Sequence, residues 1–196
     1  FVFFTSDNGP WMTQGQAGGS AGLLDEDKGS TWEGGMREPG IAWGPGRIRA
    51  GSVSSGLACT MDLFTTSLKL AGVPIPSDRI IDGVDLGPLL WGGGTSPRED
   101  FFYYRGTQLY AARRGAYKAH YITRSAYGPD APERHDPPLL FQVDHDPGER
   151  FNLATHHPAV LADIARAVEA HRARLVPGKP QLLDTVQEAK AQIGRA

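Results

Sequence analysis

One cysteine, Cys59, is all the chain has. No internal disulfide can form, and no C-x-x-C zinc or redox motif exists. Apolar runs are short as well: none approaches the roughly 20 residues needed to span a bilayer. A large excess of charge of one sign is also missing. The formal net charge is −2 over 196 residues, which argues against a general nucleic-acid or anionic-membrane surface. Neither asparagine, Asn8 nor Asn152, heads an N-x-S/T sequon. The chain starts on Phe1 inside an apolar run, without an initiator Met or a leader-like segment, so we expect a piece of a longer protein. What remains is an ordinary globular composition, 40% hydrophobic and 21% charged. The length suits one domain, or a large domain with a small one. Cys59, among Leu57, Ala58 and Met61, reads as a small buried thiol.

The chain is organised around Phe1 to Gly9. Four apolar residues, three of them aromatic, suit a strand buried on both faces in a parallel sheet covered by helices. The run ends in Asp7-Asn8-Gly9. Functional groups of open α/β sheets sit at the carboxyl ends of strands. A carboxylate beside an amide carbonyl offers hard oxygen ligands for calcium or magnesium. Asn-Gly is equally the signature of a tight hairpin turn, so both readings stand on these residues alone.

Residues 10–31 hold five scattered glycines and few apolar anchors, a long loop of the functional kind. It is not a phosphate-binding P-loop, because Asp27 stands where that motif needs Gly before Lys28. Lys28, after Asp25, Glu26 and Asp27, can be read as part of a solvated turn. Glu33 and Arg37 can pair across the following glycine-rich bend. Gly40 to Gly44 reads as a short buried strand. Residues 60–71 form a helix capped by Thr60 or Asp62, with Met61, Phe64, Leu68 and Ala71 on one face. Gly72 and Pro74 stop it. Residues 73–100 are loop-rich, with Leu86 to Trp91 an apolar patch that packs inward.

A boundary is expected near Thr95 to Arg98. Beyond it, Phe101–Tyr104, Leu109–Arg113, Tyr117–Thr123 and Leu139–Val143 are β-prone, the first three separated by Gly106 and Gly115 as in a meander. Residues 124–138, with four prolines, read as a surface excursion, and Asp144 to Gly148 as a turn. Pro158 opens a second helix with the stripe Leu161, Ile164, Val168 and Leu175. The expected domains are thus 1–97, part of an α/β sheet domain, and 98–176, an α+β antiparallel sheet with one helix. Residues 177–196 read as a tail with a weakly amphipathic piece from Val186 to Ile193.

The order FTSDNG, DKGSTWEGGMREP, a short strand ending GPG, TMDLFTTSLKLAG and IDGVDLGPLL resembles the C-terminal part of the sulfatase family. FFYYRGTQLYAARRGAYKAHYIT and LLFQVDHDPGERFNLA resemble the C-terminal subdomain of its arylsulfatase A and N-acetylgalactosamine-6-sulfatase branch. The resemblance covers residues 1 to about 176. It implies an alkaline-phosphatase-like α/β domain followed by a small antiparallel subdomain. It implies hydrolysis of sulfate esters, aryl sulfates or sulfated sugars, by a formylglycine nucleophile beside Ca2+ or Mg2+. Asp7 and Asn8 match the family's second pair of metal ligands, and Lys28 its sulfate-binding lysine. A homodimer and a secreted, periplasmic or lysosomal setting are also compatible with the family.

Some parts of the family pattern are missing. Cys59 is followed by Thr60-Met61-Asp62, not by a CxPSR-type motif, so the formylglycine is expected upstream. The first pair of metal-binding aspartates, the activating arginine and the catalytic histidines are expected there too. Asp27 replaces the usual Gly before the lysine. His120 has two readings: a hydrogen-bonded structural histidine, or a substrate-binding group at the mouth of the sulfate pocket. Two rival functions remain on the same scaffold: a phosphodiesterase or phosphonate hydrolase, and a non-catalytic sulfatase-like module.

Overall fold

The computed structural model describes residues 1–91, 93–176 and 178. The expected tail element from Val186 to Ile193 lies outside them. The chain begins with strand β1 (Val2–Thr5), which pairs with β2 (Gly40–Trp43), Phe3 opposite Ala42. The pairing is antiparallel, not the parallel arrangement expected. Nor are these strands buried: Phe4 is 67% exposed, Ile41 59% and Trp43 60%. Phe3 and Ala42 are half-buried, while Val2, Phe4, Ile41 and Trp43 stand exposed among the described residues. Because β1 pairs with residues 40–43, Asn8-Gly9 does not turn it into a hairpin with the residues that follow. The chain passes instead into a kinked 3₁₀ segment, Met12–Gly18.

A four-residue helix, α1 (Glu33–Met36), precedes β2. Helix α2 (Thr60–Leu70) stands where its periodicity puts it, but its caps and faces differ from expectation. Its N-cap is Cys59, half-buried, whose backbone N–H donates to Asp62 at 2.8 Å. The buried face is polar: Asp62, Thr65 and Thr66. The apolar stripe stands open, with Phe64 51% exposed. The polar face is buried because it carries the chain's own contacts. Asp62 accepts from the Val84 N–H at 2.8 Å and forms a two-pronged ion pair with Arg98. The Thr66 hydroxyl donates to the Asp62 carbonyl at 2.7 Å and accepts from the Leu86 N–H at 2.9 Å. Burial would raise the Asp62 carboxyl, but Arg98 and two backbone N–H groups outweigh it and hold it below its ordinary value. A short helix, α3 (Gly87–Leu90), follows buried Leu86.

The second half is a four-stranded antiparallel meander: β3 (Asp100–Arg105), β4 (Gln108–Arg114), β5 (Tyr117–Thr123) and β6 (Glu133–Gln142). Gly106 and Gly115, at φ +60° and +56°, supply the left-handed turns between the first three strands. Residues 133–138, expected in the surface excursion, belong to β6. Prolines 137 and 138 are tolerated there because β6 is an edge strand whose pairing is interrupted between the His120 and Ile122 partners. Helix α4 (Pro158–Arg174) covers one sheet face, burying Ile164 and Val168 against Leu109, Ala112, Ala119 and Leu140. Leu175, expected on its stripe, lies past the helix and is 47% exposed. The other face turns Tyr103, Arg113, Lys118 and His120 toward α1. That face carries the chemistry described next.

Candidate active site

β1 delivers Asp7, exposed, and Asn8, half-buried, just past its carboxyl end. Two backbone hydrogen bonds lock the next residues to the loop that carries Lys28: Gly9 N–H to Gly35 O at 3.0 Å, and Lys28 N–H to Pro10 O at 3.0 Å. The approach is so close that only glycine fits. A Cβ on Gly9 would stand 1.9 Å from the Gly34 oxygen, and one on Gly34 would stand 2.2 Å from the Glu26 oxygen. The structure therefore brings Asp7-Asn8 and Lys28 into one loop cluster. The Lys28 ammonium rests 5.3 Å from the centre of the Trp11 ring. Asp27, unlike a residue of a solvated turn, is buried and accepts the Met12 N–H at 3.1 Å. Beside Asp27, a cleft of about 370 Å³ is lined by Met12, Ser20, Leu24 and Glu26.

Asp7 and Asn8 supply one carboxylate and one amide oxygen, a hard donor pair suited to calcium or magnesium. Negative charge already concentrates there: burial first, and the nearby Asp7 second, push the Glu38 carboxyl up. Among the described residues no three or more His, Cys, Asp or Glu side chains converge on a metal-sized space. Asp7 and Asn8 thus fit part of a coordination shell, not a whole one.

His120 lies elsewhere, with no solvent exposure. It stacks on Trp32, ring centres 4.3 Å apart, and its Nε2–H donates to Glu149 Oε1 at 2.6 Å. Nδ1 is buried without a partner. Protonation there would create a buried N–H with no acceptor. Burial accordingly pulls the ring's pKa below its ordinary value, although the Glu149 bond acts the other way.

Around His120 runs a buried ionic network that the sequence reading misses. The Lys118 ammonium, fully buried, lies 3.0 Å from Glu33 Oε1 and 3.2 Å from Glu149 Oε1. Arg113 lies 3.5 Å from Glu33 Oε2 and 3.1 Å from Asp144. Glu149 Oε2 accepts the Glu33 N–H at 2.7 Å, satisfying an otherwise orphan donor at the start of α1. Burial alone would raise the Glu149 carboxyl; Lys118 and His120 outweigh it and hold it below the usual carboxylate range. The expected Glu33–Arg37 pair exists at 3.8 Å, but Arg37 is largely exposed and is the weaker partner. One signal was available. Arg113 and Lys118 are directly opposed across β4 and β5, and two like charges so placed demand acids from another element.

The family pattern described as Sulfatase matches residues 1–73, and that described as the C-terminal region of aryl-sulfatase matches residues 96–194. The N-acetylgalactosamine-6-sulfatase of Canis lupus familiaris is 47% identical over 93% of this chain and 39% of its own length. Human arylsulfatase A is 39% identical over 100% of this chain and 38% of its own. The crystal structure of PsFucS1 sulfatase from Pseudoalteromonas sp. superposes with a TM-score of 0.78 at 33% identity, over 88% of this chain and 36% of that one. The chain thus spans about two-fifths of the length of the curated relatives it matches. Two family patterns in the family's own order, and close relatives on both sides of residue 95, make this chain a member of the sulfatase family.

Proposed function

We propose that the protein to which this chain belongs is a sulfuric ester hydrolase acting on sulfated sugars or aryl sulfates. The observation that carries this reading is the pair of backbone hydrogen bonds fixing the Asp7-Asn8 strand end against the Lys28 loop. They hold a metal-suited oxygen pair and a cation in one cluster, as sulfate-ester hydrolysis needs. Lys28 binds a sulfate oxygen and stabilises the negative charge that builds in the transition state. Asp7 and Asn8 hold Ca2+ or Mg2+ together with ligands from outside these residues. Such an ion, when bound, neutralises sulfate oxygens and lowers the barrier to attack. The nucleophile, a formylglycine by family resemblance, also comes from outside. His120, enclosed beneath Trp32, makes no substrate contact in this scheme. The names of the relatives support sulfated N-acetylhexosamines as the first substrates to try. We also read the chain as two units, 1–97 and 98–176, meeting across the buried ionic network.

The test uses the full-length protein with an aryl sulfate and a 6-sulfated N-acetylhexosamine. Wild type should turn over at least one of them. Lys28→Ala and Asp7→Ala should each lower kcat by about 10²–10³-fold, the usual cost of one transition-state contact. Near-wild-type turnover by either variant removes that residue from the site. A preference for a phosphonate or phosphate diester over both sulfates would favour phosphoryl chemistry on the same scaffold.

A further inference from the structure

Among the described residues, just two that are not glycine adopt a left-handed backbone: Glu26 at φ +60° and Glu149 at φ +48°. Such conformations are unfavourable for a side chain of this size and persist where the surrounding structure enforces them. Both residues use the side chain so aimed for one purpose. Glu26 Oε2 accepts the Ala126 N–H at 3.1 Å, tying the front of the Lys28 loop to the segment after β5. Glu149 Oε2 accepts the Glu33 N–H at 2.7 Å, tying the back of the loop to the turn after β6. Lys28 lies between the two attachments, and the Ser30 N–H to Asp27 O bond at 3.1 Å keeps the intervening turn closed. Glu149 is in turn held by His120 at 2.6 Å and Lys118 at 3.2 Å.

We propose that Glu26 and Glu149 are positioning residues for Lys28, a two-point clamp through which the antiparallel sheet fixes where the loop presents its ammonium. The proposal rests on the reading of Lys28 as the sulfate-binding cation. Neither acid touches substrate in this scheme; each acts through the backbone of residues 26–33.

Two readouts in the full-length protein test it. The first is amide hydrogen exchange over residues 25–36. Glu26→Ala, at a half-buried site, should speed exchange there while leaving β3 to β6 unchanged. Glu26→Gln, which keeps an acceptor oxygen for the Ala126 N–H, should restore the wild-type rate. Glu149→Ala, which removes the acceptor of the Glu33 N–H, should speed exchange in the same segment; if that variant fails to fold, the Glu26 pair still decides. Unchanged exchange at 25–36 in Glu26→Ala overturns the clamp. The second readout is a double-mutant cycle in kcat/KM. Glu26→Ala should cost about tenfold or more when Lys28 is present and less than about twofold in the Lys28→Ala background. Equal losses in both backgrounds mean that Glu26 acts on general stability, and the proposal fails. A wild-type protein that cleaves no sulfate ester overturns the functional reading instead, and the exchange experiment then still decides whether these acids hold the loop.

Discussion

Lys118 is fully buried between two carboxylates, Glu33 and Glu149, neither exposed. Removing the lysine leaves two buried negative charges with one buried arginine, Arg113, and the exposed Arg37 beside Glu33 alone. Lys118→Met in the full-length protein should therefore cost about 3–5 kcal/mol, read as a lower urea midpoint. Titration of the same group of residues gives a pH dependence. His120 is held neutral, its pKa below the value of an unfolded histidine. As pH falls through the unfolded value the denatured chain takes up a proton that the folded one refuses, so stability declines. Glu149 is held ionised below its ordinary value, so its contribution is present above the unfolded carboxylate pKa and is lost as pH falls further. Both act in the same direction, and the thermal midpoint should drop from pH 7 to 5 and again below about 4.5. In His120→Gln the first of these declines should flatten; an unchanged slope would assign it to another group. Little of this was legible from residue types. Asp7, Asn8 and Lys28 stand out as candidates because a motif carries them, whereas Glu149 and Glu26 lie in ordinary acidic turns, and their left-handed backbone angles are announced by no residue type.

At the level of elements, α2 and α4 show where pattern reading succeeds and where it does not. The α4 stripe and the three-hairpin meander were legible, because their apolar faces close on each other inside this chain. Ile164→Ala, at a site 1% exposed in that core, should cost about 2–5 kcal/mol by loss of packing. For α2 the period was right and the face wrong. Its apolar stripe is open, and the side it buries is the polar one. The physical reason is Asp62, which serves the Cys59 and Val84 amides and Arg98 together. Periodicity cannot anticipate a carboxylate that caps its own helix and anchors two distant segments. Asp62→Ala should free Arg98 and the 82–84 loop at once, and protease should cut near residue 80 faster than in wild type. β1 and β2 were found as strands, but their pairing was misjudged, since an apolar run does not say whether its neighbour is parallel or antiparallel.

The molecule as a whole is unevenly finished. The antiparallel sheet and α4 enclose their own core, while Phe4, Ile41 and Trp43 on the β1–β2 pair and Phe64 on α2 leave apolar surface open on the first half. Surfaces of that kind mark contact with further protein, in keeping with a chain that covers 39% of its relatives' length. These 196 residues alone should bind a hydrophobic dye, associate as concentration rises, turn over no aryl sulfate, and bind calcium only weakly, since Asp7 and Asn8 fall short of the six to eight oxygens calcium takes. Sub-micromolar calcium binding by calorimetry would show a self-sufficient site. The buried network has one more consequence, for descent. Glu33 comes from the first half of the chain, whereas Lys118, Arg113 and Glu149 come from the second. A crossover near residue 95 that joined halves from two diverged parents would strand a charge in the interior unless both parents kept the same four residues. Recombination between such genes is thus filtered at this seam, and the two halves should be inherited as a matched set even where the surfaces around them drift.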